Sequence, residues 1–212
     1  MDMTLESCRF FVEMLASSAP SPGGGGAAAL VGAIGAALGH MASNLTVGKK
    51  KYADVQERIQ ELNAKFVCLE KQLLDQVEAD EQGFLPLAAA YRLPKDTPGY
   101  GRFMDEATMN ACTVPMTVME LCCEVLDCIA VVAEQGSRLA VSDAGSGAVC
   151  CKAAMQAASL TIFINTKTLN NRSAARAIDE KVWQMLNDYG TLADRIFRQV
   201  CAEFGQQGGN NG

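Results

Sequence analysis

The chain has 212 residues, of which 49% are hydrophobic and 20% charged, a composition typical of a globular protein. Its formal net charge of −6 and its 6% aromatic content exclude a general nucleic-acid binder, which needs positive charge for phosphates and rings for base stacking. A single histidine, His40, excludes histidine-rich metal sites.

Apolar residues recur at helical spacing along nearly the whole chain, and no stretch alternates as a strand does. Helices are predicted over residues 4–18, from the glycines at 23–26 to about 47, and over 52–91, 103–135, 137–169 and 173–204. Proline and glycine residues predict a loop at 92–102 and a break near 142–145. We therefore predict an all-α bundle of long helices, one domain over 1–204, with a disordered tail at 205–212.

The second predicted helix has no charged residue between Pro22 and Lys49, a length that raises the question of a membrane span. Alanine and glycine dominate it, so its transfer into lipid is only weakly favourable. A packed helix of a soluble protein is the better interpretation. Its small residues follow helical spacing at 28, 32, 35 and 39, which predicts a groove where another backbone approaches closely.

The third predicted helix has a core-facing apolar stripe at helical spacing, which runs from Val55 to Tyr91 and includes Phe84. Asp80 interrupts this stripe in register with Leu73. Pro86 follows six residues later and is expected to kink or open the helix near Asp80, because proline cannot donate a backbone hydrogen bond. A carboxylate among apolar groups has a raised pKa, which suits a group that accepts and returns a proton. The alternative is a structural acid paired with an arginine or lysine of another helix.

Three other features are candidate binding elements. The turn of residues 22–26 opens a helix, whose free N–H groups can hold an anion or a carbonyl oxygen, although a purely conformational role is equally compatible. Lysines at 49–51 form a cationic cluster that is either a solvated surface or an anion site. Asn165 lies in an apolar context where an amide needs partners, whereas Ser142 and Asp143 fit a helix cap.

Nine cysteines are present, but no two have the C-x-x-C spacing of zinc or redox sites. Their odd number and apolar neighbours are typical of reduced, buried thiols in a cytosolic protein. Acidic residues stand near the N-terminus, where a signal peptide has basic ones. The sequence therefore predicts a cytoplasmic protein without a metal site.

These motifs, in this order and spacing, resemble the cyclodeaminase/cyclohydrolase family of tetrahydrofolate one-carbon enzymes from about residue 5 to residue 204. The resemblance is carried by residues 15–29 (LASSAPSPGGGGAAA), 44–52 (NLTVGKKKY), 93–95 (LPK) and 142–145 (SDAG), by Asp80 four residues before Phe84, and by Asn165. The four-glycine turn is more similar to stand-alone bacterial cyclohydrolases, since cyclodeaminase relatives usually have serine where Gly26 stands. Gln82 replaces a second acid that is frequent in the family.

The resemblance implies an all-helical homodimer whose folate lies in a cleft formed with help from the second subunit, and it implies that Asp80 is the catalytic acid/base. No metal and no cofactor beyond the tetrahydrofolate substrate is expected, and neither are nucleic-acid or membrane partners. The substrate-binding candidates are Pro22, Gly23, Gly24, Gly25, Gly26, Asn44, Lys49, Lys50, Lys51, Ser142, Asp143 and Asn165. We expect the lysines to contact the glutamate tail of folate and the glycine turn to lie near the pterin or the bridging carbon.

The implied reaction is the hydrolysis of 5,10-methenyltetrahydrofolate to 10-formyltetrahydrofolate. Cyclisation of 5-formiminotetrahydrofolate with loss of ammonia is the alternative within the family, because both reactions pass through a similar tetrahedral carbon. A non-catalytic folate-binding dimer and a purely structural bundle are alternatives from other functional classes.

Overall fold

A computed structural model describes residues 3–19 and 21–205. The described residues form seven α-helices and no strand, which confirms the all-α prediction. The helices are α1 (Cys8–Leu15), α2 (Gly24–Asn44), α3 (Gln56–Ala90), α4 (Tyr100–Ala111), α5 (Thr113–Gln135), α6 (Val141–Thr166) and α7 (Arg172–Gly205). Short 3-10 turns cover Lys50–Val55 and Arg138–Ala140. Of the predicted tail, only Gly205 is among the described residues, and it ends α7.

Helices α2, α3, α5 and α6 form an antiparallel bundle around one apolar core. α2 runs antiparallel to α3, since Gly26 lies beside Val77 and Gly39 beside Phe66. It also runs antiparallel to α6, since Gly32 lies beside Ala154 and Gly39 beside Gly147. α7 packs outside, against α5 and α6, while α4 packs mainly against the C-terminal part of α3. The start of α2, the end of α3 and the end of α6 consequently meet at one end of the bundle.

The glycines of α2 let three helices approach its backbone, as the sequence predicted. A Cβ atom at Gly32 would lie 3.1 Å from Leu73 Cδ2 in α3, and one at Gly39 would lie 2.6 Å from Ile129 Cγ1 in α5. At Gly35 it would lie 2.9 Å from the carbonyl oxygen of Gly147 in α6. These distances are shorter than van der Waals contact, so a side chain at these positions would force the helices apart.

Two segments, α2 and Arg138–Thr166, are long and apolar enough by length and composition to cross a membrane. The core helices of soluble proteins meet the same criterion. Because α2 and α6 pack against each other through small residues inside the bundle, length and composition alone are weak support for a membrane segment.

Several predicted helix boundaries were wrong. The helix expected over 103–135 is two helices with a break at Cys112, because Pro115 has no N–H for the carbonyl group of Ala111. The break expected near 142–145 is absent, since the chain turns earlier, at residues 136–140, and α6 begins at Val141. The third helix begins at Gln56, after the 3-10 turn, and continues through Pro86 to Ala90.

The apolar stripe of α3 is buried from Ile59 to Val77, as predicted, but Phe84 and Tyr91 are 42% and 55% exposed. Beyond Val77 the helix leaves the main bundle and packs against α4. A second, small apolar cluster forms there, consisting of Leu87, Ala90, Ala107 and Ala111. The end of α3 therefore has too few neighbours to bury its whole apolar stripe.

Candidate active site

A cavity of about 260 Å³ opens where the start of α2 meets the ends of α3 and α6 and the junction of α4 with α5. Polar groups and apolar side chains share its wall. The lining residues are Ser21, Gly23, Gly24, Gly25, Asp80, Glu81, Gly83, Phe84, Ala111, Val114, Thr161, Ile164 and Asn165. The cavity thus joins three of the sequence-predicted elements: the glycine turn, Asp80 and Asn165.

The carboxylate of Asp80 is half-buried against the first turn of α2. Its Oδ2 atom accepts a hydrogen bond from the backbone N–H of Gly26, with an N···O distance of 2.8 Å. Burial raises the pKa of Asp80 above its ordinary value of 3.8, and the hydrogen bond from Gly26 acts in the opposite direction. Within residues 3–19 and 21–205 no basic side chain forms an ion pair with Asp80. The structure therefore does not support the alternative of a structural acid paired with arginine or lysine.

The two oxygens of this carboxylate have different environments. Oδ2 is held by Gly26, whereas Oδ1 has no hydrogen-bond partner in the described part of the chain. The N–H groups of Gly24 and Gly25 likewise have no acceptor among the residues described. A free carboxylate oxygen and two free donors at the positive end of a helix dipole therefore line one cavity, an arrangement that can move a proton and stabilise a developing negative charge.

Asn165 lines the opposite wall, close to the break between α4 and α5. Its side-chain amide lies beside the thiol of Cys112 and acts to lower the pKa of that thiol, against the larger effect of burial. Burial raises the pKa of Cys112 to about 11, so this group is a neutral thiol at physiological pH. Asn165 therefore has a local partner, and its amide also borders the cavity, where it is available to a polar ligand.

Sequence reasoning missed the apolar and peripheral part of this wall. Phe84 was assigned to the core, although its position four residues after Asp80 places both side chains on one face of α3. Thr161 lies four residues before Asn165, so the same rule would have found it, and Ile164 lies three residues after Thr161. Val114 belongs to another helix, and no sequence signal places it near Asp80.

The remaining predicted residues lie at the other end of α2. We call Asn44, Lys49, Lys50, Lys51, Ser142 and Asp143 the distal group. α2 has 21 residues, so its ends are about 30 Å apart. Pro22, by contrast, is buried one residue before the cavity-lining glycines. Within one protomer the structure does not bring the distal group to Asp80.

Most residues of the distal group make local contacts. Asn44 Oδ1 accepts a hydrogen bond from the side-chain amide of Asn63 at 2.8 Å, and Lys49 Nζ donates to Ser137 Oγ at 2.9 Å. Lys51 Nζ lies 5.7 Å from the centre of the Tyr52 ring, and Lys50 and Ser142 are exposed. Asp143 lies in the first turn of α6. Their role in substrate binding stays a prediction.

The other titratable candidates have structural partners. His40 Nδ1 lies 2.8 Å from Glu70 Oε1, and its ring stacks on Phe66, so its hydrogen-bonding and packing needs are met. The prediction of buried thiols is confirmed for five cysteines and wrong for three exposed ones, while Cys150 is partly exposed. The buried ones are Cys112, Cys122, Cys123, Cys128 and Cys151, and the exposed ones are Cys8, Cys68 and Cys201.

Comparisons with a family model and with individual proteins point to the same family. Residues 7–184 match the family model described as formiminotransferase-cyclodeaminase. A methenyltetrahydrofolate cyclohydrolase of Methylorubrum extorquens is 37% identical over 92% of this chain and 96% of its own length. The formimidoyltransferase-cyclodeaminase of Rattus norvegicus is 26% identical over 92% of this chain, but the match covers only 37% of that longer protein.

A solved structure shows the same architecture. The crystal structure of formiminotetrahydrofolate cyclodeaminase from Thermotoga maritima superposes with a TM-score of 0.80 at 25% identity, covering 93% of this chain and 94% of the other. The family model covers far more than half of the residues, and the cyclohydrolase match spans nearly both chains. This chain therefore belongs to the formiminotransferase-cyclodeaminase family.

Proposed function

We propose that this protein is a methenyltetrahydrofolate cyclohydrolase, which hydrolyses 5,10-methenyltetrahydrofolate to 10-formyltetrahydrofolate. The observation that carries the proposal is the half-buried Asp80 carboxylate, which has one oxygen held by Gly26 and the other free at the cavity wall. The identity of 37% with a bacterial cyclohydrolase along nearly the whole chain supports the choice of reaction.

Asp80 supplies two of the three proton transfers that this hydrolysis needs, the deprotonation of water and the protonation of N5. The bridging carbon of the methenyl substrate is bonded to two nitrogens and carries a delocalised positive charge. As water adds to this carbon, Asp80 Oδ1 accepts the proton of the water, and a tetrahedral carbon with a hydroxyl group forms. The bond from the carbon to N5 then breaks, and the proton returns from Asp80 to N5. As the carbon–oxygen double bond forms, the hydroxyl group loses its own proton to solvent and its oxygen becomes the formyl oxygen, so the net reaction releases one proton. Burial moves the pKa of Asp80 toward neutral pH, which favours both its acceptance and its return of the proton.

The rest of the cavity suits the head group of a folate. Phe84, Val114 and Ile164 offer apolar surface for a flat heterocycle, and the Asn165 amide can hydrogen-bond to its polar edge. The free N–H groups of Gly24 and Gly25 are positioned to stabilise oxygen charge on the tetrahedral carbon. A volume of about 260 Å³ is below the usual range for a whole drug-sized ligand, about 300–1,000 Å³, so the aminobenzoyl and glutamate parts extend outside it.

A homodimer would complete the site. The outer faces of α2 and α6 are exposed and mainly apolar, with Ser146 and Gln156 as exposed polar residues of α6, and the two helices lie in contact at Gly35 and Gly147. The exposed members of this face are Ile34, Ala37, Met41, Leu45, Val149, Ala153, Ala157, Leu160 and Ile164. A contiguous apolar surface of this kind is typical of a protein interface rather than of a solvated face.

Two-fold symmetry across this face would bring the distal group of one subunit close to Asp80 of the other. If the two copies of α2 cross with their directions opposed, the start of one helix lies near the end of the other. Lysines 49–51 of the partner would then approach the mouth of the Asp80 cavity. They would meet the carboxylates of the glutamate tail, which the net charge of −6 would otherwise repel.

The second candidate activity is the cyclisation of 5-formiminotetrahydrofolate with release of ammonia. The superposition with the Thermotoga maritima cyclodeaminase favours it, because that structure shares the bundle over 93% of this chain. One carboxylate can serve either reaction, since both have a tetrahedral carbon between two nitrogens. The substrate that the protein turns over decides between them.

The test uses the near-ultraviolet absorbance of the methenyl group. The proposal predicts loss of this absorbance from methenyltetrahydrofolate with the wild-type protein and with Glu81→Asp, which keeps a carboxylate beside the cavity. Asp80→Asn should abolish turnover while folate still binds. A gain of absorbance and ammonia from the formimino substrate, without hydrolysis, would make the protein a cyclodeaminase. Unchanged turnover in Asp80→Asn would remove the residue from the mechanism.

Subunit mixing tests the composite site. Asp80→Asn and a variant with lysines 49–51 changed to glutamine are each expected to be inactive or weak. After dissociation and random reassociation, half of the dimers are mixed and each has one intact site, so activity should recover to about a quarter of the wild-type value. Sedimentation as a monomer, or no recovery on mixing, would refute this arrangement.

A further inference from the structure

We propose that Gly25 is a positioning residue for Asp80: the space that its missing side chain leaves is the space that the carboxylate occupies. The inference rests on the proposed function only for its effect on catalysis. Oδ2 then reaches the N–H of Gly26, and Oδ1 remains at the cavity wall.

The geometry at Gly25 is specific to this acid. A Cβ atom built there would lie 2.5 Å from Asp80 Cγ and 2.7 Å from Oδ2, and it would overlap Oδ1. The three nearest atoms all belong to the Asp80 side chain. A carboxylate can rotate away about its own torsions, so an alanine at this position displaces the acid rather than the helices.

The other glycines of the turn have different surroundings, although the sequence does not distinguish them. A Cβ at Gly24 would meet nothing within 4 Å, and one at Gly23 would come no closer than 3.9 Å to Asp80. At Gly26 it would lie 3.3 Å from the carbonyl oxygen of Val77, so a side chain there would press on the α3 backbone. Among these four glycines, Gly25 alone is required by the position of the carboxylate.

Displacing the carboxylate has a measurable signature. If Asp80 rotates toward solvent, it loses the burial that raises its pKa and also the weaker, opposing hydrogen bond from Gly26. The pKa of Asp80 should then fall toward its ordinary value. A substitution that only loosened the helix would not shift the titration of one carboxyl group in this direction.

The first experiment follows the Asp80 carboxyl by carbon-13 NMR, with Asp80→Asn identifying its resonance. Gly25→Ala should move the titration midpoint to lower pH, whereas the matched variant Gly24→Ala should leave that midpoint as in the wild type. In the activity assay, Gly25→Ala should lower kcat by about 100-fold or more, the size of a lost general acid/base, with a much smaller change in KM. An unchanged midpoint and kcat in Gly25→Ala would overturn the inference.

The second experiment is a double-mutant cycle in stability, which needs no activity and addresses the case in which Gly25→Ala folds poorly. Gly25→Ala should lower the melting temperature when Asp80 is present and should be neutral or stabilising in an Asp80→Ala background. Equal losses in both backgrounds would mean that the alanine collides with something other than the carboxylate, and the inference would fail. A wild-type protein that is inactive on methenyltetrahydrofolate would overturn the proposed function but leave the NMR and stability results to decide the role of Gly25.

Discussion

Replacing Gly35 with alanine tests whether the close contact between α2 and α6 holds the bundle together. The new Cβ would lie 2.6 Å from Cys151 Sγ, 2.9 Å from the carbonyl oxygen of Gly147 and 3.1 Å from the backbone nitrogen of Cys151. Two of these three atoms belong to the backbone of α6, so no side-chain rotation relieves the overlap. The helices must separate or shift along each other.

The expected cost follows from two opposing contributions. Overpacking a core by one methyl group costs about 1–3 kcal/mol, and the backbone contacts place this site near the upper end. Alanine is favoured over glycine inside a helix by about 1 kcal/mol, which offsets part of the loss. The net destabilisation should therefore be about 2 kcal/mol, which for a chain of this size lowers Tm by about 4–8 °C.

Thermal unfolding followed by circular dichroism measures this change, at one fixed protein concentration because a dimer would make Tm depend on concentration. The control is Gly190→Ala in α7, where the new Cβ would come no closer than 3.9 Å to Lys152 Cε. It should raise Tm slightly through helix propensity alone. A Gly35→Ala protein that melts at or above the wild-type temperature would refute the close packing.

Three further predictions concern charge, thiols and a buried hydroxyl. Because folding raises the pKa of Asp80, the contribution of this residue to stability falls as pH rises above 3.8. Asp80→Asn should therefore raise Tm at pH 7, and this gain should disappear in acid. No gain at pH 7 would contradict this. A thiol reagent should label three cysteines of the native protein rapidly and the buried ones only on unfolding, as read by mass spectrometry; the fast ones are Cys8, Cys68 and Cys201. Thr46→Val should lower the free energy of unfolding, measured in urea, by about 1–3 kcal/mol. The buried N–H of Ser137 donates to Thr46 Oγ1 at 2.8 Å and would lose its acceptor, whereas Thr46→Ser keeps a hydroxyl and should cost less.

Periodicity predicted the helices well and their limits less well. The buried stripe of α3 from Ile59 to Val77 follows directly from apolar spacing, and Asp80 stood out because a polar residue kept that register. The same spacing placed Phe84 in the core, where it is not. Periodicity identifies the face of a helix, but only the neighbouring helices determine whether that face is covered.

Distances between motifs could not be read from the chain. The glycine turn and the lysine cluster are about 25 residues apart and lie at opposite ends of one uninterrupted helix, so the rise of that helix separates them by about 30 Å. Asp80 and Asn165, far apart in sequence, border one cavity because α3 and α6 both run antiparallel to α2. The break at Cys112 was readable, because Pro115 lies four residues after Ala111, whose carbonyl group the proline leaves without its helical donor.

Helix α2 has two roles, since its first turn makes room for Asp80 and its middle packs closely against three other helices. These roles affect which positions along the helix tolerate substitution. A saturation scan scored only by growth would show intolerant glycine positions from Gly25 to Gly39, although the causes differ between the start of the helix and its middle. Losses near Gly25 would persist at low temperature, because the chemistry itself would be impaired. Losses at Gly32, Gly35 and Gly39 would be relieved by cooling or by a stabilising second substitution elsewhere. Repeating the scan at two temperatures would therefore separate selection on turnover from selection on assembly of the bundle.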